Sequence, residues 1–143
     1  MTNPKYYQIN CDGGSRGNPG PAASAFLIRD STGQIVFQDS EYLGQTTNNQ
    51  AEYQAVINAL LWLEKNKQSD PLQIEFNLDS QLVVNQMLGV YQVKDQYIRV
   101  KHQQAKQLIS QLSPYLITFK YIPRAENSAA DFLVNQSLDQ LAK

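Results

Sequence analysis

The segment Cys11-Asp12-Gly13-Gly14-Ser15-Arg16-Gly17-Asn18-Pro19-Gly20-Pro21-Ala22 limits what this chain can fold into more than any other stretch does. Four glycines and two prolines follow Asp12 within nine residues, so no helix runs through it. Just upstream, Tyr6 to Cys11 alternates as a strand, with Tyr7, Ile9 and Cys11 on one face and Gln8, Asn10 and Asp12 on the other. Asp12 is therefore expected to end a strand at the mouth of a glycine loop. An Asp-Gly turn needs one glycine or two. The greater density here lets backbone N–H groups approach a ligand closely. No Gly-Lys-Ser/Thr follows, so the loop is not a P-loop. The Asp precedes the glycines, so it is not a dinucleotide fingerprint either.

The 143 residues, 42% hydrophobic and 17% charged, fit a single globular domain spanning 1–143. A net charge of −1 argues against a passive nucleic-acid binder, which would carry a basic excess. It does not exclude an enzyme that meets phosphate through metal ions. Met1-Thr2-Asn3-Pro4-Lys5 has no apolar signal core, and no apolar run reaches membrane-spanning length. With a single cysteine, the expectation is a cytoplasmic protein without membrane partners, acting as a monomer.

After the glycine loop, Ala25–Arg29 reads as a second strand and Gln34–Leu43 as a third, joined by the turn at Asp30–Gly33. Helix signals begin at Thr47. Asn48 or Asn49 can cap, and Asn49 with Glu52 has capping-box spacing. Val56, Ala59, Leu60 and Leu63 form a buried stripe, with Glu52 in line one turn earlier. Trp62 is read as a packing residue. Lys65–Pro71 is a polar linker, Leu72–Leu78 a strand, and Asp79 a candidate cap for a short helix at Leu82–Leu88 that Gly89 stops. Ile98–Leu112 is a helix carrying His102, the sole histidine, which is read as structural. Lys94, Arg99, Lys101 and Lys106 concentrate positive charge around it, either as a solvated face or as a phosphate contact. Tyr115–Ile122 is the last strand. Asn127 is expected to cap a final helix with stripe Val134, Leu138 and Leu141, and Asp131 lies in its first turn. The order β-β-β-α-β-α-α-β-α implies an α/β fold: a mixed five-stranded sheet, an antiparallel meander followed by parallel strands, with helices on its faces.

Asp12 and Asp79 stand at strand exits, and Glu52 and Asp131 in first helical turns. Each alone is a turn or capping residue. Gathered at one sheet edge, they would raise one another's pKa, and a cation relieves that strain. Carboxylates without Cys or His partners suit Mg²⁺, or Mn²⁺ as a substitute, and two such ions can drive phosphodiester cleavage.

The chain resembles type 1 ribonuclease H in four motifs that recur in the family's order: Asp12-Gly13-Gly14, Thr47-Asn48-Asn49-Gln50-Ala51-Glu52, Leu78-Asp79-Ser80-Gln81, and Pro123-Arg124-Ala125-Glu126-Asn127 leading to Ala130-Asp131. The resemblance implies the ribonuclease H-like fold and hydrolysis of the RNA strand of RNA–DNA hybrids, leaving 3′-hydroxyl and 5′-phosphate ends. By it, Asp12, Glu52, Asp79 and Asp131 are the metal-binding catalytic carboxylates. By the same resemblance, Gly13, Asn18, Thr47, Asn48, Asn49 and Gln81 match positions that contact the hybrid's sugar-phosphate backbones.

Three departures qualify the resemblance. Gly89–Gln96 is too short for the basic protrusion of some members, which places the chain with the protrusion-less subgroup. Gln45 stands where some members have a phosphate-binding arginine. Many members have a histidine in the loop before the last carboxylate, where this chain has Arg124. An arginine cannot act as a base there but can contact a phosphate oxygen and steady developing negative charge. Two other readings remain at this stage: a non-catalytic hybrid-binding module, and another nuclease or transposase-like enzyme on the same fold.

Overall fold

The structure, a computed structural model, describes residues 5–70 and 72–141. Pro71, the end of the expected linker, and most of the N-terminal segment fall outside that range. The elements follow the expected order: β1 (Lys5–Ser15), β2 (Gly20–Arg29), β3 (Ile35–Thr46), α1 (Asn48–Lys65), β4 (Leu72–Leu78), α2 (Gln81–Met87), α3 (Gln96–Gln111), β5 (Leu116–Tyr121) and α4 (Ser128–Leu141). A single 3₁₀ turn, Arg124–Asn127, leads into α4. The sheet order is β3-β2-β1-β4-β5. β2 runs antiparallel to β1 and β3, whereas β4 lies parallel to β1 and β5. Among the described residues, no helix is long and apolar enough to cross a membrane.

The glycine segment departs from expectation. β1 continues through Gly13 and Gly14 to Ser15, and β2 already begins at Gly20, so only Arg16–Pro19 form the loop. Asp12 therefore lies inside the ladder opposite Ala25 instead of ending the strand. The reason is steric. Gly13 lies so close to α1 that a Cβ there would sit 2.2 Å from the Ala51 carbonyl carbon and 2.4 Å from the Glu52 nitrogen. Gly13 admits a neighbouring helix to the strand.

The helix caps also differ. Thr47, not Asn48 or Asn49, caps α1 by accepting from the Gln50 N–H, and Ser80, not Asp79, caps α2 through the Val83 N–H. In both cases the capping residue is the extended one and its neighbour is left for other work. Asn127 caps nothing, because it closes the 3₁₀ turn with its side chain turned inward.

The sheet is covered on both faces. Ile9, Cys11, Phe26, Ile28, Ile74 and Phe76 join α1, α2 and α3 in the main core. Ala23 and Ala25, alternate residues of β2, pack instead with Val134 and Leu138 of α4. Strand alternation therefore places α4 on the opposite face from α1. α1 is buried on more than one stripe, including Tyr53 and Ala55, because the sheet and α3 enclose it from two sides. Trp62 stacks on Phe37 with ring centroids 5.3 Å apart, in the expected packing role. Leu141, expected in the α4 stripe, is exposed, so the stripe stops at Leu138.

Candidate active site

The site lies where the pairing of the central strands β1 and β4 ends, at Cys11 and Leu78. Asp12 and Asn10 sit on one face of β1, and Asp79 follows β4 directly. The close approach that Gly13 permits brings α1 against β1 at Ala51 and Glu52; Glu52 lies in the second turn of the helix, not in the first as expected, because α1 already begins at Asn48. Asp12, Glu52 and Asp79 each offer a carboxylate oxygen within 4.8 Å of the others. Asp12 and Glu52 are both only 6% exposed. The Gly13 N–H donates to Asp12 Oδ1 at 2.9 Å, while Glu52 Oε2 is buried with no hydrogen-bond partner.

Such a cluster is poorly solvated and self-repelling. Burial, and then the charges of Asp79 and Asp131, push the Asp12 carboxyl from its ordinary 3.8 up to about 7. Burial, and then the Asp12 charge, push Glu52 well above its ordinary range. Without a cation the folded chain thus holds protons that the unfolded chain releases. The stability this contributes is complete below about pH 4 and is lost as pH rises through about 7. In chelator, Tm is therefore expected to fall from about pH 5 to about pH 8, more steeply for the wild type than for Asp12→Asn. Scanning calorimetry across that range checks it, and equal slopes for the two proteins would refute it.

The donor set fits a hard divalent cation. It is all oxygen and partly desolvated, and one buried carboxylate oxygen lacks any partner. Asp131, half-buried in the first turn of α4, is outside the tight triad but lines the same cleft of about 370 Å³. Arg124, exposed on the 3₁₀ turn, also lines it, as do Gly13, Asn48 and Asn49. The structure thus brings eight of the eleven candidate residues to one cleft.

The other three stand beside it. Asn18 supports the wall, its Oδ1 accepting from the Asn48 N–H at 3.0 Å. Thr47 is the α1 cap, and Gln81 is exposed at the start of α2. Sequence reasoning missed Asn127 as a site residue: fully buried, it donates from Nδ2 to Asp79 Oδ2 at 3.0 Å. It also missed Arg16, which lines the cleft and pairs with Asp139 of α4. Arg16 lay within the glycine segment, but nothing in the sequence shows its partner.

Three of the four residues of the basic cluster, Arg99, Lys101 and Lys106, each make a local contact. Lys101 Nζ donates to Gln54 Oε1 at 2.7 Å, beside a polar pocket that Gln45 and Thr46 line. Lys106 instead reaches the Met87 carbonyl and Arg99 the Val93 carbonyl. His102 packs edge-on against Tyr53, with Nε2 3.2 Å from the Gln86 carbonyl oxygen, a structural setting as expected.

Comparison with known proteins agrees with this geometry. A family profile described as reverse transcriptase-like matches residues 10–137. The chain superposes on LC11-RNase H1, solved in complex with an RNA/DNA hybrid, with a TM-score of 0.90 at 40% identity, covering 96% of this chain and 99% of that one. The chain belongs to the type 1 ribonuclease H family. Ribonuclease HI of Halobacterium salinarum is 41% identical over 128 residues, which are 90% of this chain and 62% of that protein. A bifunctional protein of Mycobacterium tuberculosis is 37% identical over 136 residues, 94% of this chain but 36% of its own length. The ribonuclease H chain described here thus spans less than two thirds of these curated relatives. Its five-stranded sheet and four helices are the ribonuclease H fold.

Proposed function

We propose that this chain hydrolyses the RNA strand of RNA–DNA hybrids with divalent metal, giving 3′-hydroxyl and 5′-phosphate ends. The observation that carries the reading is the Asp12–Glu52–Asp79 triad, within 4.8 Å, at the floor of an open cleft in a ribonuclease H fold. Asp12, Glu52 and Asp79 would hold Mg²⁺ or Mn²⁺, with Asp131 completing the set from α4. Bound there, divalent ions supply an activated water and neutralise the leaving oxygen. The protein's own part is to hold four acids from four segments in place, and to offer backbone and amide donors to a duplex.

Asn48 uses its Oδ1 on the Ser15 N–H and hydroxyl, which leaves its Nδ2 for a ligand. Gly13 and Asn49 line the cleft with it, and Asn18, Thr47 and Gln81 stand beside it. Donors of this kind engage sugars and phosphates and carry little sequence information. Only the RNA strand has 2′-hydroxyls, which amide side chains can select. The same reading takes residues 1–143 as one ribonuclease H domain, active as a monomer because a single chain builds the whole cleft. The free, buried Cys11 accords with a cytoplasmic setting.

The test is a cleavage assay on RNA–DNA hybrid, double-stranded RNA and double-stranded DNA, each with Mg²⁺, Mn²⁺ or EDTA. Cleavage confined to RNA and abolished by EDTA is expected. EDTA-resistant cutting, or equal cutting of the DNA strand, would overturn the reading.

Arg124 is the second residue this reading makes testable. It lines the cleft with the acids, and its permanently charged fork can bind a phosphate oxygen bidentately. Arg124→Ala is expected to lower kcat severalfold or more, roughly the scale of losing one charged contact, while leaving metal binding intact. Arg124→Lys should recover only part of the loss. Equal kcat at saturating hybrid for all three proteins would return Arg124 to the surface.

A further inference from the structure

Asn127 is fully buried, and its side chain joins three separate parts of the chain. Its Nδ2 donates to Asp79 Oδ2 at 3.0 Å, beyond the end of β4, and to the Cys11 carbonyl oxygen at 2.8 Å in β1. Its Oδ1 accepts from Asn10 Nδ2 at 3.0 Å. The orientation of this amide is determined: a main-chain carbonyl and a carboxylate can only accept, so the NH₂ end must face them. That in turn fixes Asn10, whose own Oδ1 is left buried without a partner. Asn77, opposite Asn10 in the β1–β4 register, is buried with its Oδ1 unpartnered as well. Unpaired buried acceptors cost stability. Apolar side chains at positions 10 and 77 would avoid that cost, so stability alone does not account for these two amides.

We propose that Asn127 is a positioning residue for the carboxylate cluster. It holds Asp79 Oδ2 by a hydrogen bond and so fixes the rotation of that carboxylate beside Asp12 and Glu52. It also anchors the turn that carries Arg124, and the start of the helix that carries Asp131, to the two central strands. The inference rests on the ribonuclease H reading and adds a residue to it. A merely structural tie would lower the melting temperature and little else. A positioning residue sets metal affinity and kcat, while KM for the hybrid stays near that of the wild type.

The experiment uses Asn127→Asp, which keeps the shape but turns the donor into an acceptor, and Asn127→Ser, which is too short to reach Asp79. Mn²⁺ is titrated calorimetrically into each metal-free, folded protein, and kcat and KM are measured on hybrid. Both variants are expected to bind Mn²⁺ roughly tenfold more weakly or worse, with kcat reduced and KM little changed. Wild-type Mn²⁺ affinity in either folded variant would overturn the proposal and leave the ribonuclease reading intact. A wild type that neither binds Mn²⁺ nor cleaves hybrid would remove both. If both variants unfold, Mg²⁺ titration of the wild type by NMR decides. The Asn127 side-chain NH₂ resonances are expected to shift as the site saturates, and unshifted resonances would overturn the proposal.

Discussion

Asp79→Asn is expected to reduce turnover by roughly a hundredfold or more, beyond the usual cost of losing a residue that only supports a metal ligand, while the fold survives. The substitution removes a charge and almost no volume. The new amide can still offer its oxygen to Asn127 Nδ2, so the local hydrogen bond persists. One member of the triad would, however, no longer be anionic. KM for hybrid should stay close to the wild type, because the proposed duplex contacts are amide and hydroxyl groups other than this carboxylate. Stability should move the other way. The Asp79 charge is one of the causes that raise the Asp12 and Glu52 carboxyls, so its loss relieves the metal-free protein. The metal-free variant is therefore expected to melt above the wild type at neutral pH. Mg²⁺ should raise the Tm of the wild type more than that of the variant. Calorimetry with and without Mg²⁺, alongside kcat, checks all three. Undiminished turnover would remove Asp79 from the metal set.

Gly13→Ala is the second large effect, and it acts through the backbone. A methyl group there meets the Ala51 carbonyl carbon at 2.2 Å, its oxygen at 2.4 Å and the Glu52 nitrogen at 2.4 Å. These are main-chain atoms of a helix, so no side chain can swing aside. β1 and the start of α1 must separate. Overpacking a core costs about 1–3 kcal/mol and sometimes more, and a backbone clash belongs at the upper end. A loss of about 3 kcal/mol lowers the Tm of a domain this size by roughly 10 °C. The residue displaced is Glu52, so metal affinity should fall along with stability. Thermal melting and Mn²⁺ titration of the variant test this, and a Tm within a degree or two of the wild type would contradict the contact.

The contrast between these two residues shows what the sequence conveys. Asp79 was legible because its strand, Leu72–Leu78, alternates cleanly and ends where a helix signal begins, as the structure shows. Gly13 was misread as loop. Periodicity is carried by side chains, and a glycine inside a ladder carries none, so the strand seemed to stop at Asp12. The caps were displaced by one or two residues, Thr47 for Asn48 or Asn49 and Ser80 for Asp79. Neighbouring polar residues offer the same chemistry, and only the backbone torsions decide which one is extended. Asn127 was read as a cap because its local context allows it. Its actual partners, Asn10 and Cys11, lie 117 and 116 positions away, beyond any local rule. Asp79 and Asp131 do stand at the ends of their elements, Asp12 and Glu52 lie further in than expected, and the amides that hold the acids needed the tertiary structure.

The division of the core has a consequence for how the site is held. α4 rests on its own small cluster, Ala23 and Ala25 against Val134 and Leu138, separate from the large core that α1, α2 and α3 share. Two alanines offer little apolar area, and the Arg16–Asp139 pair that adds to the attachment is solvent-exposed. The C-terminal helix is thus held by a packing face of its own and by the Asn127 tie at its start. Asp131 is carried by that helix, whereas Asp12, Glu52 and Asp79 belong to elements of the main core. The fourth carboxylate is therefore placed by contacts that the other three do not share, and a change in the small α4 cluster bears on Asp131 first.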